Sequence, residues 1–191
     1  MERLHNTALE DTAAVFRSLL IQYVSRYTKE GNAAMIAYAD KLPAIRSSNE
    51  FLDQLKEFGW LRVDAPPLYD CLESFSGGAC PGIDGFLYWS NAKFGLKPVF
   101  SITHVMIFRT MHEGQPWVFI AFKQIYADHY IESSLAVAVL AQDSADPANP
   151  ALWFYISIAP RRMRSAVCLA VLSERSSRAA RATQWRPSST V

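Results

Sequence analysis

The sequence lacks most of the signatures that announce a function. It has no Cys-x-x-Cys or histidine-rich spacing of the kind that builds a zinc site, and no Gly-x-Ser-x-Gly nucleophile elbow. Ser76-Gly77-Gly78 is the nearest thing to a phosphate loop, but it has neither the lysine nor the following helix such a loop requires. No apolar run approaches the ~18 residues needed to span a bilayer. The opening MERLHNTALEDTAAVF has no basic-then-apolar pattern of a secretory leader, so the chain as written reads as soluble and cytoplasmic. Cysteine is scarce: Cys71, Cys80 and Cys168 are an odd number in 191 residues, which predicts free thiols and not a disulfide framework. A Cys71–Cys80 bridge across the Ser76-Gly77-Gly78 turn is expected only if the chain is exported.

Charge is also scarce, at 19% of residues with a net of +1. It is unevenly spread. Residues 161–191 hold seven arginines and one acid (Glu174), leaving residues 1–160 with 12 of the 19 basic and 17 of the 18 acidic groups. A mildly acidic body lacks the clustered basic face that phosphate contacts need, so no nucleic-acid partner is expected. What the chain does have is apolar mass: half the residues are hydrophobic and 13% aromatic, enough for one globular domain with a real core.

The first part is helical. Val15, Phe16, Leu19, Leu20, Tyr23, Val24 and Tyr27 draw a stripe along a helix from about residue 9 to 28, which Gly31 ends. A second short helix is predicted over 32–41, capped by Asn32 and stopped before Pro43. A third begins at the capping-box pattern Ser47-Ser48-Asn49-Glu50, with Phe51, Leu52, Leu55 and Phe58 facing the core and Gly59 closing it. Pro66-Pro67 stops any continuing helix, 68–75 makes one or two turns, and Gly77-Gly78 with Pro81-Gly82 marks a loop-rich connection.

From Phe86 the periodicity changes to two. Phe86–Trp89 reads as a short strand and 99–111 as a second. Phe100, Ile102, His104, Met106 and Phe108 share one face of the second, and Ser101, Thr103, Val105, Ile107 and Arg109 the other. His112-Glu113-Gly114-Gln115 predicts a hairpin into a strand from Trp117 that breaks near Ala127-Asp128; further strands follow at 134–142 and 152–158. Consecutive strands with short links imply an α+β fold. The N-terminal helices (9–75) pack on a roughly five-stranded antiparallel sheet (86–158), forming one domain over 1–160.

Residues 161–191 are Arg-, Ser- and Ala-rich and do not continue the pattern, so they are expected to be a disordered basic tail. The neighbouring reading frame from Pro160 permits a continued strand and an amphipathic helix. The expectation is therefore a frameshift near Ile158, which would make this tail non-native; sequencing the gene there decides it.

Several segments are similar to an uncharacterised bacterial protein family without assigned activity. They are Gly31-Asn32-Ala33-Ala34-Met35 with Tyr38, Leu87-Tyr88-Trp89-Ser90, Leu96-Lys97-Pro98, Thr103-His104-Val105, and Lys123-Gln124-Ile125-Tyr126-Ala127-x-His129-Tyr130. The resemblance covers roughly residues 16–157. It implies a longer N-terminus, which could carry an export signal, and a basic helix after the last strand in place of the present tail.

The densest group of functional residue types is Lys123, Gln124, Tyr126, His129 and Tyr130. By alternation Phe122, Gln124 and Tyr126 share one face, and Lys123 and Ile125 the other; the break at Ala127-Asp128 re-aims His129 and Tyr130. Lys123 ordinarily lies on a solvated face; turned inward among Phe119, Ala121 and Ile125 it needs a partner, Glu132 or Asp128, and with a lowered pKa it becomes a base or Schiff-base amine. His104, on an apolar strand face, is ordinarily a satisfied core histidine; its catalytic reading is a general base beside His129. Two histidines without assignable carboxylates do not make a metal site, and no cofactor is implied.

The leading expectation is a non-catalytic domain that holds a small apolar or amphipathic ligand between helices and sheet, with Lys123, Gln124, Tyr126, His129 and Tyr130 as its polar contacts. The enzymatic alternative is a hydrolase with His104 or His129 as base and Lys123 or Tyr126 assisting. A third is a structural fragment of a longer protein. No oligomeric state follows from the sequence.

Overall fold

The computed structural model describes residues 2–38, 44–94, 97–129, 131–143 and 151–161. All of the predicted tail (161–191) except Arg161, the last residue of the final strand, lies outside the described residues, and with it the sequence on which the frameshift expectation rests. Five strands, β3 (Ile83–Phe94), β4 (Lys97–His112), β5 (Gln115–Ala127), β6 (Ser133–Asp143) and β7 (Ala151–Arg161), form an antiparallel meander in sequence order. Among the described residues four helices accompany it: α1 (Glu2–Glu30), α2 (Ser47–Glu57), α3 (Leu61–Asp64) and α4 (Pro66–Ser74). A two-stranded ribbon, β1 (Ala37–Tyr38) with β2 (Ile45–Arg46), links α1 to α2. The α+β architecture with a five-stranded antiparallel sheet is as the sequence implied.

Local chemistry sets several of these boundaries. The β4–β5 connection is the two-residue turn Glu113-Gly114, both with positive φ (51° and 79°). That turn type matches the twist of a hairpin. Pro66 and Pro67 occupy the first positions of α4, where a missing N–H costs nothing, so they start a helix as well as ending one.

Two expectations in the first half are corrected. Among the described residues of 32–41 no α-helix forms: a single 3-10 turn (Gly31–Ala34) leads into β1, because Asn32 points away from its own backbone toward the end of α4. Ser47 opens α2, yet its hydroxyl does not cap the helix; it donates to the carbonyl of Glu132, 2.8 Å away, and so ties α2 to the start of β6. Gln54 strengthens that tie by donating to the Ser133 carbonyl (3.0 Å) and accepting from the Ser133 hydroxyl (2.7 Å).

The strand pleat sorts the sheet into two faces. Toward the helices point Met106, Phe119, Ala121, Leu135, Val137 and Val139, packed against Tyr27, Phe51, Leu55, Phe58, Leu68 and Leu72. The other face carries Phe86, Val105, Ile107, Ile120 and Phe122. α1 uses only part of its predicted stripe: Leu20, Tyr23, Val24 and Tyr27 pack on the core and Phe16 meets Phe100, whereas Val15 and Leu19, on the other side of the helix, are exposed.

Cys71 and Cys80 form a disulfide, which corrects the expectation of free thiols. Parity gave the wrong answer because Cys168 is the odd one out, whereas the nine-residue spacing lets α4 be clipped to the loop before β3. Closing so short a loop is worth about 2–3 kcal/mol through the unfolded chain. The double variant Cys71→Ser/Cys80→Ser is therefore expected to lose about that much unfolding free energy in urea, read by circular dichroism. An unchanged midpoint would mean that the bridge does not form.

Candidate functional site

Lys123 sits in the middle of β5 on the helix-facing side and is 0% exposed, which overturns its reading as a solvated residue. Its partner is neither Glu132 nor Asp128. The ammonium donates to Asn32 Oδ1 and is walled by three ring faces, Phe51 at 4.3 Å, Tyr27 at 5.4 Å and Phe75 at 5.6 Å from Nζ to ring centroid. Asn32 is itself held: its Nδ2 donates to the carbonyls of Leu72 (3.0 Å) and Glu73 (3.1 Å), which leaves Oδ1 aimed at the lysine. Its backbone N–H donates to the Phe75 carbonyl at 2.8 Å. Gly31 makes this approach possible, since its φ is +61° and a Cβ there would lie 2.0 Å from Phe75 O. Burial pushes the Lys123 pKa down to about 7. The ring faces and the amide oxygen favour the charged form, so both protonation states are populated near neutrality.

His104 is the cross-strand partner of Lys123 and lies on the same face. Its Nδ1 shares a 3.0 Å hydrogen bond with Tyr27 Oη, and its ring packs on Phe75 with centroids 5.0 Å apart. Burial, helped by the neighbouring Lys123 charge, lowers its pKa to about 4, so the imidazole is neutral at physiological pH. Burial likewise raises the Tyr27 hydroxyl far above its ordinary range. Gly85 leaves room for the imidazole, because a Cβ there would stand 3.0 Å from His104 Nε2. Lys123, Asn32, His104 and Tyr27 thus form a polar cluster inside the core, closed in by Phe51 and Phe75.

A bulge one step along β5 separates a second group. Thr103 faces Gln124 but Ile102 faces Tyr126, so Ile125 is the extra residue. The expected reset at Ala127-Asp128 occurs earlier, and it turns Tyr126 to the helix side, where its ring meets Tyr23 (6.0 Å) and Phe100 (6.3 Å). Past Gln124, where pairing with β6 ends, tyrosines meet the backbone: Tyr23 Oη donates to the Ile125 carbonyl (2.5 Å), and Tyr38 Oη donates to that of Ala127 (3.0 Å). From Phe100 the aromatic run continues outward, stacked on Trp89 (5.8 Å) and edge-on to Phe16 of α1 (6.1 Å). Trp89 is 69% and Phe16 42% exposed. Asp128 closes the end of this run, its Oδ1 accepting from the Phe100 N–H (3.1 Å) and lying 2.7 Å from His129 Nδ1.

The predicted site residues therefore divide. Lys123 and His104 are core neighbours; Tyr126 and His129 belong to the aromatic end; Gln124 is on the opposite face of the sheet with Thr103 and Ser134. Tyr130 lies outside the described residues. No group of three or more His, Cys, Asp or Glu among the described residues could hold a metal ion, and no helix among them is long and apolar enough to cross a membrane. Asn32 and the rings of Tyr27, Phe51 and Phe75 were hidden from sequence reasoning, because each also fits a helix cap or an apolar stripe. Trp89 and Phe100 carried a signal in their aromaticity alone.

The lysine sets a pH dependence whose sign is definite. Its folded pKa lies below the unfolded 10.5, so between pH 7 and about 10 the unfolded chain binds the extra proton and stability rises with pH. Above about 10 the buried tyrosines, with raised pKa values, reverse the trend. Urea unfolding is expected to show a gain of roughly 2 kcal/mol or more from pH 7 to 9.5, allowing for relaxation of the ~1.4 kcal/mol per pKa unit. Lys123→Met should abolish that gain; a parent curve flat over this window would contradict the burial of the amine. Comparison of the chain with protein-family models, with curated proteins and with solved structures finds no match.

Proposed function

We propose that this chain is a non-catalytic binding domain for a small apolar or amphipathic molecule, taken up where α1 meets β3, β4 and β5. The observation that carries this reading is the exposed aromatic run Phe16–Phe100–Trp89, continued inward by Tyr126 and Tyr23. Large rings left in water beside a helix whose Val15 and Leu19 are also exposed are apolar area awaiting a partner. Asp128 and His129 at the end of the run supply polar contacts to orient a head group. The sealed positions of His104 and Lys123 favour binding over hydrolysis, because a general base must reach the proton it takes. The Cys71–Cys80 bridge favours an oxidising compartment as the place of work.

The test is fluorescence titration of the full chain with 1-anilinonaphthalene-8-sulfonate, an amphipathic aromatic anion. Saturable binding is expected, weakened about tenfold in Trp89→Ala by loss of one stacking face, while the circular dichroism spectrum stays unchanged. Equal binding by parent and Trp89→Ala would overturn the assignment of this site.

A further inference from the structure

The segment from Cys71 to Cys80 supplies one wall of the Lys123 cage and the three carbonyls that position Asn32. Those of Leu72 and Glu73 fix the asparagine side chain, and that of Phe75 takes its backbone N–H. The Phe75 ring walls both Lys123, 5.6 Å from Nζ, and His104, 5.0 Å between centroids. Behind Phe75 the chain lies against the last turn of α1. Gly78 N–H donates to the Thr28 carbonyl at 2.9 Å, and a Cβ on Gly77 would stand 2.3 Å from Lys29 O. Gly77, Gly78 and Gly82 all have positive φ (92°, 76° and 71°), so holding this loop in one shape costs much backbone freedom. The Cys71–Cys80 bridge clips the two ends of the segment together.

We infer that this bridge is a redox clasp on the cage: its reduction by a dithiol lets Phe75 and the loop behind it lift from α1, and brings the Lys123 amine, sealed in the oxidised chain, within reach of solvent and of electrophiles. The two sulfurs are unequally placed. Cys71 is 7% exposed, with Sγ 3.8 Å from Met106 Sδ in the core, whereas Cys80 is half-buried between the exposed Ala79 and Pro81. A thiolate of the reductant therefore attacks Cys80 Sγ. The Sγ–Sγ bond breaks, and Cys71 leaves with the electron pair and takes a proton from water. The second thiol of the reductant then displaces Cys80 from the mixed disulfide, which leaves two thiols in the chain and an oxidised dithiol outside it. What then holds the loop are single backbone hydrogen bonds such as Gly78 to Thr28, each of small net worth, against the freedom of a glycine-rich segment. Phe51 on α2 and Tyr27 on α1 lie outside the clipped segment, so the opening is local. In an oxidising compartment the clasp stays closed, and transfer to a dithiol-rich one opens it.

Acetic anhydride labelling of the full chain, mapped by peptide mass spectrometry before and after dithiothreitol, tests this. In the oxidised chain Lys123 is expected to react at least about tenfold more slowly than the exposed Lys56; on reduction its rate should rise at least about tenfold while that of Lys56 stays the same. Alkylation of Cys71 and Cys80 in the same sample verifies that the bridge was open, and reoxidation should restore the protection. Cys71→Ser/Cys80→Ser should label as the reduced parent does, with or without dithiothreitol, and circular dichroism should keep its sheet signal throughout. Protection of Lys123 that survives alkylation of both cysteines overturns the proposal. So does a bridge that dithiothreitol fails to open in the folded chain, because Cys80 is then out of reach. Loss of the whole fold on reduction overturns it too, since cage and core would then open together.

Discussion

A buried ammonium has to be answered from every side, and in this fold the answer comes from each part of the helical layer. Lys123 on β5 is met by Tyr27 from α1, Phe51 from α2, Phe75 from the end of α4 and Asn32 from the turn after α1. Removing such a charge from water costs several kcal/mol, so the arrangement persists only if all these groups are in place together. This makes the lysine a specification of how helices and sheet dock. To the pleat's own demand on register it adds a charged group that only one oxygen answers, so a docking that moves Asn32 away leaves the charge unpaired. His104 shares the cost, since its neutrality is enforced by the same burial and the same neighbouring charge.

The bulge at Ile125 separates this closed cluster from the open aromatic end. Without the extra residue Tyr126 would point to the far face of the sheet, and the rings of Tyr23, Phe100 and Trp89 would not continue into one another. Tyr23 and Tyr38 hold this end of β5 through the carbonyls of Ile125 and Ala127. A bulge beside a site is a common means of re-aiming a side chain, and here it sends Lys123 and Tyr126, three residues apart, to different tasks on the same side of the sheet.

Much of the architecture was legible in the chain. The period-two pattern of 99–111, the Glu113-Gly114 turn and the Phe51/Leu55/Phe58 spacing are strong local signals, and the meander followed from short links. What escaped was long-range. Asn32 has the chemistry of a helix cap, and only the carbonyls of Leu72 and Glu73, forty residues on, divert it. Lysine is ordinarily solvated, so nothing near Lys123 in sequence announces its cage. Alternation cannot reveal a single extra residue, which is why the register of Tyr126 was misread. Ser47 was assigned a capping role that its contact with Glu132 displaces.

The most direct test of the buried charge is an NMR titration of the Lys123 side chain, following 13Cε and Nζ shifts in the folded chain. One lysine is expected to titrate alone near pH 7, its ammonium protons exchanging slowly behind Phe51 and Tyr27. If every lysine titrates together near the ordinary ~10.4, the amine is in water and the organisation described around it is wrong.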